Sequence, residues 1–345
     1  MFGARDARMM RAMHRSAPIR GVVPDPVGPL RTVALRLLGD LTVGEQWSAV
    51  KELQGLLERQ APIGSAALSG DLIVGTAGVA ITPDMAALCA QDFVRTVAFV
   101  QGSFAAIREA RQRRPDRPVQ VLYAGCGPWC TLALPLMACL DPDVARFELI
   151  DLQPRSLALA LALIESFGLS DRVSHSEVAD AVLYVPVDSP DVVLYELMRA
   201  VLDAEPHVAA TLHFRDIAPD ALLVPEAVTI DAELIDVRTL VGEEGELPIP
   251  LGCALRVDRT TTAGDGIVTG GTVRLPDSWA RHREPMLVTR ISVFGEVTVS
   301  EGASGLTIPR PIACYGDSVP GDVLQFSYVL GDDPRLRCET VPSEW

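Results

Sequence analysis

The stretch Val119–Asp151, VQVLYAGCGPWCTLALPLMACLDPDVARFELID, constrains the fold of this chain more than any other. It begins with a short apolar strand, Val119–Ala124, and turns at Gly125-Cys126-Gly127. An apolar helical run over Thr131–Leu140 follows, and a second apolar strand, Phe147–Ile150, ends on Asp151. Strand, glycine turn, helix and strand make the first unit of a nucleotide-type α/β domain. Glycines at the turn let backbone approach a ligand with no Cβ in the way. An acid at the tip of the second strand can accept both hydroxyls of a ribose. The pattern reads G-x-G-P-W, so the dinucleotide fingerprint G-x-G-x-x-G is not met. S-adenosylmethionine (SAM) carries a ribose without a pyrophosphate and does not need the third glycine.

The α/β rhythm continues downstream. Pro154–Phe167 is a nearly all-apolar helical run that needs cover on most sides, closed by Gly168. Val173–Val178 reads as a strand followed by Asp180, and Asp191–Tyr195 as a strand buried on both faces that ends at Glu196. A helical pattern over 207–215 and a strand at Ala221–Val224 complete the alternation. Upstream, residues 30–60 hold two helical patterns (Leu30, Val33, Ala34, Leu37, Leu38; then Trp47, Val50, Leu53, Leu56, Leu57) that should pack together or onto a partner. Segment 61–80 reads as strand and loop. Pro83, with Thr82 as cap, opens a helical pattern that runs to Arg113 and is expected to break at Gly102. Beyond Pro225 the segments AVTIDAELIDV, CALRVDRT, GIVTGGTVRL, MLVTRISVFGEVTV and DVLQFSYVL alternate in strand fashion, around an acidic loop at 240–250. The expected architecture is a Rossmann-like α/β sheet followed by a β-rich barrel or sandwich domain, with a helical segment in front. The divisions fall at 1–80, 81–225 and 226–345.

Composition excludes several classes. A formal net charge of −15 argues against a nucleic-acid binder, which needs a basic face. It suits a cationic substrate as well as simple solubility. No uninterrupted apolar run of about 18 residues is present, so no membrane span is expected. The seven cysteines form no C-x-x-C pair, and their odd count suits a reducing, cytoplasmic setting with no metal site. The Arg- and Met-rich start reads as a basic arm, loosely like a transit peptide.

Two glutamates, Glu196 and Glu205, flank an excursion from the C-terminal end of the fourth strand, the edge where open α/β sheets bind ligands. Two carboxylates there can converge on a guanidinium, which is planar, always charged and presents its donors as a fork. By binding the other nitrogens they would localise positive charge away from an attacking one and aim it. The same spacing also fits Glu196 as a helix cap and Glu205 as a surface charge.

This region resembles the protein arginine methyltransferase family of class I SAM-dependent enzymes, over roughly residues 80–235. Asp92-Phe93-Val94-Arg95-Thr96 is similar to the family's D-x-V-R-T, which implies that Arg95 holds the SAM carboxylate. Val121–Gly127 resembles V-L-D-x-G-x-G, implying that Gly125, Cys126 and Gly127 line the methionine part, with Asp151 on the ribose and Asp180 beside the adenine. Pro186-Val187-Asp188 through Met198 resembles P-V-E-x-x-D-x-x-x-S-E-W-M, and Glu205 falls at the second glutamate of the family's pair. Pro225-Glu226 resembles the start of the family's barrel domain. Several residues depart from the pattern: Tyr123 for an acid, Trp129 for a glycine, Leu197 for a tryptophan. No T-H-W segment is found, with His213 and His282 as candidates to replace it, and the helical dimerisation arm is missing.

The resemblance implies a SAM-dependent N-methyltransferase for a guanidino group, with Glu196 and Glu205 as the catalytic pair. The departures favour free L-arginine or a related small guanidino compound. The alternatives are an arginine-containing peptide, an amine or hydroxyl acceptor, or a non-catalytic partner subunit in which Trp129 fills the methionine pocket. A homodimer using residues 30–60 is a candidate assembly.

Overall fold

The computed structural model describes residues 25–62, 72–312 and 320–341. The basic arm read at 1–24 lies outside the described residues. Helix α1 (Gly28–Leu37) has Pro29 in its first turn, where the missing N–H costs nothing. Helix α2 (Val43–Gln60) starts with a capping box: Thr42 Oγ1 accepts the Glu45 N–H at 3.4 Å, and Glu45 accepts the Thr42 N–H at 2.9 Å. Leu30, Val33, Leu37, Val50, Leu53 and Leu57 from these helices are fully buried within the molecule's own core, while Trp47 is 54% exposed and lies off the stripe.

Strands β1 (Ile73–Gly75) and β2 (Gly78–Ala80) form a small hairpin. Helix α3 (Pro83–Leu88) is capped by Thr82, whose Oγ1 accepts the Met85 N–H at 3.3 Å. A 3₁₀ turn and the Asp92 cap then separate it from helix α4 (Phe93–Arg113). The expected break at Gly102 is thus displaced to 89–92. Gly102 lies inside the continuous helix, where the Val293 side chain from the antiparallel strands comes so close that a Cβ would lie 2.5 Å from its Cγ1. This glycine serves packing, not interruption.

The parallel sheet is built from β3 (Val119–Ala124), helix α5 (Leu134–Cys139), β4 (Ala145–Asp151), helix α6 (Pro154–Ser166), β5 (Val173–Val178), β6 (Val192–Tyr195), helix α7 (His207–Ile217) and β7 (Leu222–Val224). Its order is β5-β4-β3-β6-β7, with every neighbouring pair parallel. The sheet is Rossmann-like: the chain goes out from β3 on one side and returns to its other side, so a crevice opens at the C-terminal ends of β3, β4 and β6. Helix α6 buries one face only, through its own Ser156, Leu157, Ala160, Leu163 and Ile164. Its outward alanines, such as Ala158 and Ala162, present little apolar area and need no second cover.

The remaining chain is antiparallel. Strands β8 (Ala227–Asp236), β9 (Ile249–Asp258), β10 (Ile267–Arg274), β11 (Arg283–Phe294), β12 (Val297–Val299), β13 (Arg310–Pro311), β14 (Val323–Val329) and β15 (Arg335–Val341) follow. One sheet runs β12-β11-β8-β9, with β13 also on β11, and the other runs β10-β14-β15. Their inward residues, Val228, Ile230, Leu255, Leu324 and Phe326 among them, join the same buried cluster as the parallel sheet and the N-terminal helices. Strand β15 carries Cys338, which is disulfide-bonded, whereas Cys89, Cys126, Cys130, Cys139 and Cys253 are free. This corrects the reading of all the cysteines as reduced: an odd count requires one free thiol and does not forbid a pair. Among the described residues no helix is long and apolar enough to cross a membrane, and no cluster of side chains has metal-binding character.

Candidate functional site

The crevice at the strand ends is a cavity of about 280 Å³. It is lined by all eight residues singled out from the sequence: Arg95, Gly125, Cys126, Gly127, Asp151, Asp180, Glu196 and Glu205. Three separate parts of the chain enclose it. The strand ends form the floor, the β1–β2 hairpin with α3 forms one wall, and Gly305, Leu306 and Arg310 of the antiparallel unit form another.

The turn after β3 holds Gly125 and Gly127 at φ of 72° and 63°, left-handed values that a side chain resists. Asp151, at the tip of β4, braces this turn: one carboxylate oxygen accepts the Gly127 N–H and the other accepts the Gln153 N–H, both at 2.8 Å. Burial pushes its pKa up to about 6, against the pull of those two bonds. Each oxygen keeps lone-pair capacity for a hydroxyl donor. Asp180 ties the hairpin wall to the sheet. Its two oxygens accept the Thr76 N–H of the hairpin at 2.7 Å and the Val182 N–H at 3.1 Å.

Arg95 stands in the first turn of α4, where Asp92 caps the helix by accepting the Arg95 N–H at 3.0 Å. The second oxygen of Asp92 accepts the Ser304 hydroxyl at 2.6 Å and the Gly305 N–H at 2.8 Å. One carboxylate therefore joins the helix start to the barrel turn that enters the cavity. The Arg95 guanidinium is ion-paired with Glu196, the two side chains being 12% and 7% exposed. Its Nε is buried without a hydrogen-bond partner. Such an orphan donor is costly unless a ligand atom meets it.

Glu196 follows β6 directly. Burial drives its pKa upward, opposed by Arg95 and reinforced by Glu205. Glu205, only 8% exposed, is pushed up to about 7 by burial, against the lowering effect of Arg95 and Arg199. The two carboxylates thus feel each other and share one cavity. Between them Val201, Leu202 and Ala204 hold left-handed φ of 57°, 61° and 62°. Three such residues in one short loop need external support. The barrel supplies it: Thr289 Oγ1 accepts the Val201 N–H at 3.2 Å, Tyr328 donates its hydroxyl to the Leu202 carbonyl at 2.6 Å, and the Pro334 carbonyl accepts the Ala204 N–H at 2.9 Å. The hairpin adds a bond from the Val79 N–H to the Ala204 carbonyl at 3.0 Å. At the base of the loop Tyr195 and His207 stack, with centroids 4.9 Å apart and planes at 15°. Burial drives the His207 pKa down to about 3, so its imidazole is neutral.

The chain is similar in fold to protein arginine methyltransferases. In solved structures it matches the Trypanosoma brucei PRMT1 enzyme-prozyme heterotetrameric complex with AdoHcy at 14% identity over 74% of this chain and 92% of that one, with a TM-score of 0.49. It matches PRMT6 at 13% identity over 70% and 95% of the two chains (TM-score 0.45), and protein arginine methyltransferase 10 of Arabidopsis thaliana at 12% over 73% and 91% (TM-score 0.44). No protein-family model and no curated protein matches the chain. The likeness is one of architecture.

Other sequence expectations divide. Trp129 does not line the cavity; its ring is buried away from it and donates Nε1–H to the Ala61 carbonyl at 3.1 Å, at the end of α2. It therefore does not fill the cavity beside the Gly125–Gly127 turn. Leu197 does line the cavity. His213 bonds the Tyr184 carbonyl at 2.7 Å, and His282 lies near Asp236 and Glu246; neither reaches the site. The barrel contributes Arg310 instead. Sequence reasoning missed Arg199, Leu306, Arg310 and the hairpin wall. The run Gly75-Thr76-Ala77-Gly78 between Ile73-Val74 and Val79-Ala80 is a hairpin signal that could have found that wall; nothing local marks Arg310.

Proposed function

We propose that this chain is a SAM-dependent N-methyltransferase whose acceptor is a guanidino group. The observation that carries the reading is the pair of buried carboxylates, Glu196 and Glu205, in the same cavity as the Gly125–Gly127 turn and Asp151. The residues fit the cofactor: Asp151 has free acceptor capacity for a ribose, the glycine turn admits close backbone approach, and the orphan Nε of Arg95 is available to a carboxylate. When bound, SAM supplies an electrophilic methyl group on a sulfonium.

Glu196 and Glu205 bind the acceptor guanidinium, replacing its water by fixed charges. Arg95 holds Glu196 in place and offsets the repulsion between the two carboxylates. With two nitrogens engaged, the third is aimed at the methyl donor and its lone pair is less delocalised. That nitrogen gains a carbon and loses a proton, and Glu205, with a pKa near 7, is matched to accept it. No metal ion is needed for charge balance, because the sulfonium charge vanishes as the nitrogen gains one.

The test is a turnover assay with SAM, offering free L-arginine and an arginine-rich peptide side by side and resolving products by mass. Methylation on a guanidino nitrogen of either acceptor supports the reading. Binding of S-adenosylhomocysteine without methylation of any guanidino compound overturns it.

A further inference from the structure

The cavity is electrostatically two-ended. Its floor holds Glu196 and Glu205, both almost fully buried. Two more arginines line it besides Arg95: Arg199, from the loop between the glutamates, and Arg310, from β13. Both are solvent-exposed, so they stand at the mouth. Among the described residues neither is ion-paired to a carboxylate, and Arg310 makes no side-chain hydrogen bond. Arg36, Arg113, Arg117, Arg172, Arg283 and Arg290, by contrast, have carboxylate partners. Arg310 is also the sole charged side chain that the described antiparallel unit contributes to the cavity.

We infer that Arg199 and Arg310 bind a carboxylate of the acceptor, so that the substrate is a small guanidino acid with a cation at one end and an anion at the other, free L-arginine being the simplest example. This rests on the guanidino reading above and narrows it. A guanidinium seated on the buried glutamates leaves the rest of a short molecule pointing to the mouth. A free carboxylate there meets the guanidinium forks of Arg310 and of Arg199, whose charge also acts on Glu205, each fork suited to bidentate pairing. An arginine inside a peptide has an amide in that place and gains nothing from them. The donor's own carboxylate is served from inside, by the orphan Nε of Arg95.

The experiment compares kcat/KM for L-arginine, for agmatine (the same guanidino chain without the carboxylate) and for an arginine-rich peptide. It uses the full chain and its Arg199→Ala, Arg310→Ala and Arg310→Lys variants, with S-adenosylhomocysteine affinity measured in parallel. L-arginine should exceed agmatine by at least tenfold. That ratio should fall toward one in the two alanine variants and be partly kept in Arg310→Lys. Equal use of arginine and agmatine, preference for the peptide, or a ratio unmoved by both alanine variants overturns the inference while leaving guanidino methylation standing. Weaker S-adenosylhomocysteine binding with the ratio intact overturns it too, because the arginines would then serve the donor. If S-adenosylhomocysteine binds but no guanidino compound is methylated, the reading beneath it has failed as well.

Discussion

Glu205 shows how a site residue can work against the fold that holds it. Its ordinary pKa of 4.5 is pushed up to about 7 by burial, so the folded chain binds that proton more tightly than the unfolded one. The stability this group contributes is present in full below about pH 4.5 and is lost as pH rises to about 7. Above that, the fold carries a buried charge at a cost. Glu205→Gln should therefore raise Tm at pH 8 by about 2 °C or more in a thermal melt. The same substitution, like Glu196→Gln, should lower kcat/KM by roughly a hundredfold or more in the turnover assay. A fall in Tm together with retained activity would contradict both expectations. Ionised carboxylates are needed to grip a cation, so kcat/KM of the wild-type chain should climb with pH through about 7, and Glu205→Gln should remove the Glu205 share of that limb and leave the share set by Glu196, whose pKa burial also raises. A profile flat from pH 6 to 8 in the wild type would exclude Glu205 from that role.

Among the elements, the loop from Glu196 to Glu205 depends most on its neighbours. Its three left-handed residues are held by the barrel on one side and the β1–β2 hairpin on the other. Gly78 packs closely against the loop's backbone: at its φ of 130°, a Cβ would lie 2.6 Å from the Ala204 carbonyl oxygen. Gly78→Ala should push hairpin and loop apart and reduce turnover at least tenfold, with a smaller effect on S-adenosylhomocysteine affinity; unchanged turnover would mean that the contact does not set the glutamates. These elements also show what a sequence can and cannot say. Strands β3, β4 and β6 were legible because apolar runs end at glycine or acid, and those endings place Gly125, Asp151 and Glu196 at one sheet edge. The continuity of α4 was not, because a glycine within a helix reads as a break until the Val293 side chain that needs the space is known. Strand β15 was missed because one face carries Arg335, Arg337 and Glu339 while the other offers only Leu336, Cys338 and Thr340, a weak apolar signal.

At the scale of the whole molecule the cavity belongs to no single part of the chain. The floor residues are close in pattern to one another and could be named from the sequence. Arg310, Leu306 and the support from Thr289, Tyr328 and Pro334 come from strands and turns whose local sequence carries no sign of where they dock. This arrangement predicts action at a distance. Tyr328 is fully buried and does not line the cavity, yet its hydroxyl holds the Leu202 carbonyl. Tyr328→Phe should cut kcat several-fold while changing KM little, and an unaltered kcat would show that the loop keeps its shape without the barrel bond. The bond from Trp129 to the Ala61 carbonyl has a practical consequence of another kind. It places an indole chromophore between the turn expected to meet the donor and the end of the second helix, shielded from water. Once Trp47, Trp279 and Trp345 are replaced by phenylalanine, its emission becomes an optical gauge of that junction, so addition of S-adenosylmethionine and detachment of the N-terminal helices can each be followed by light alone.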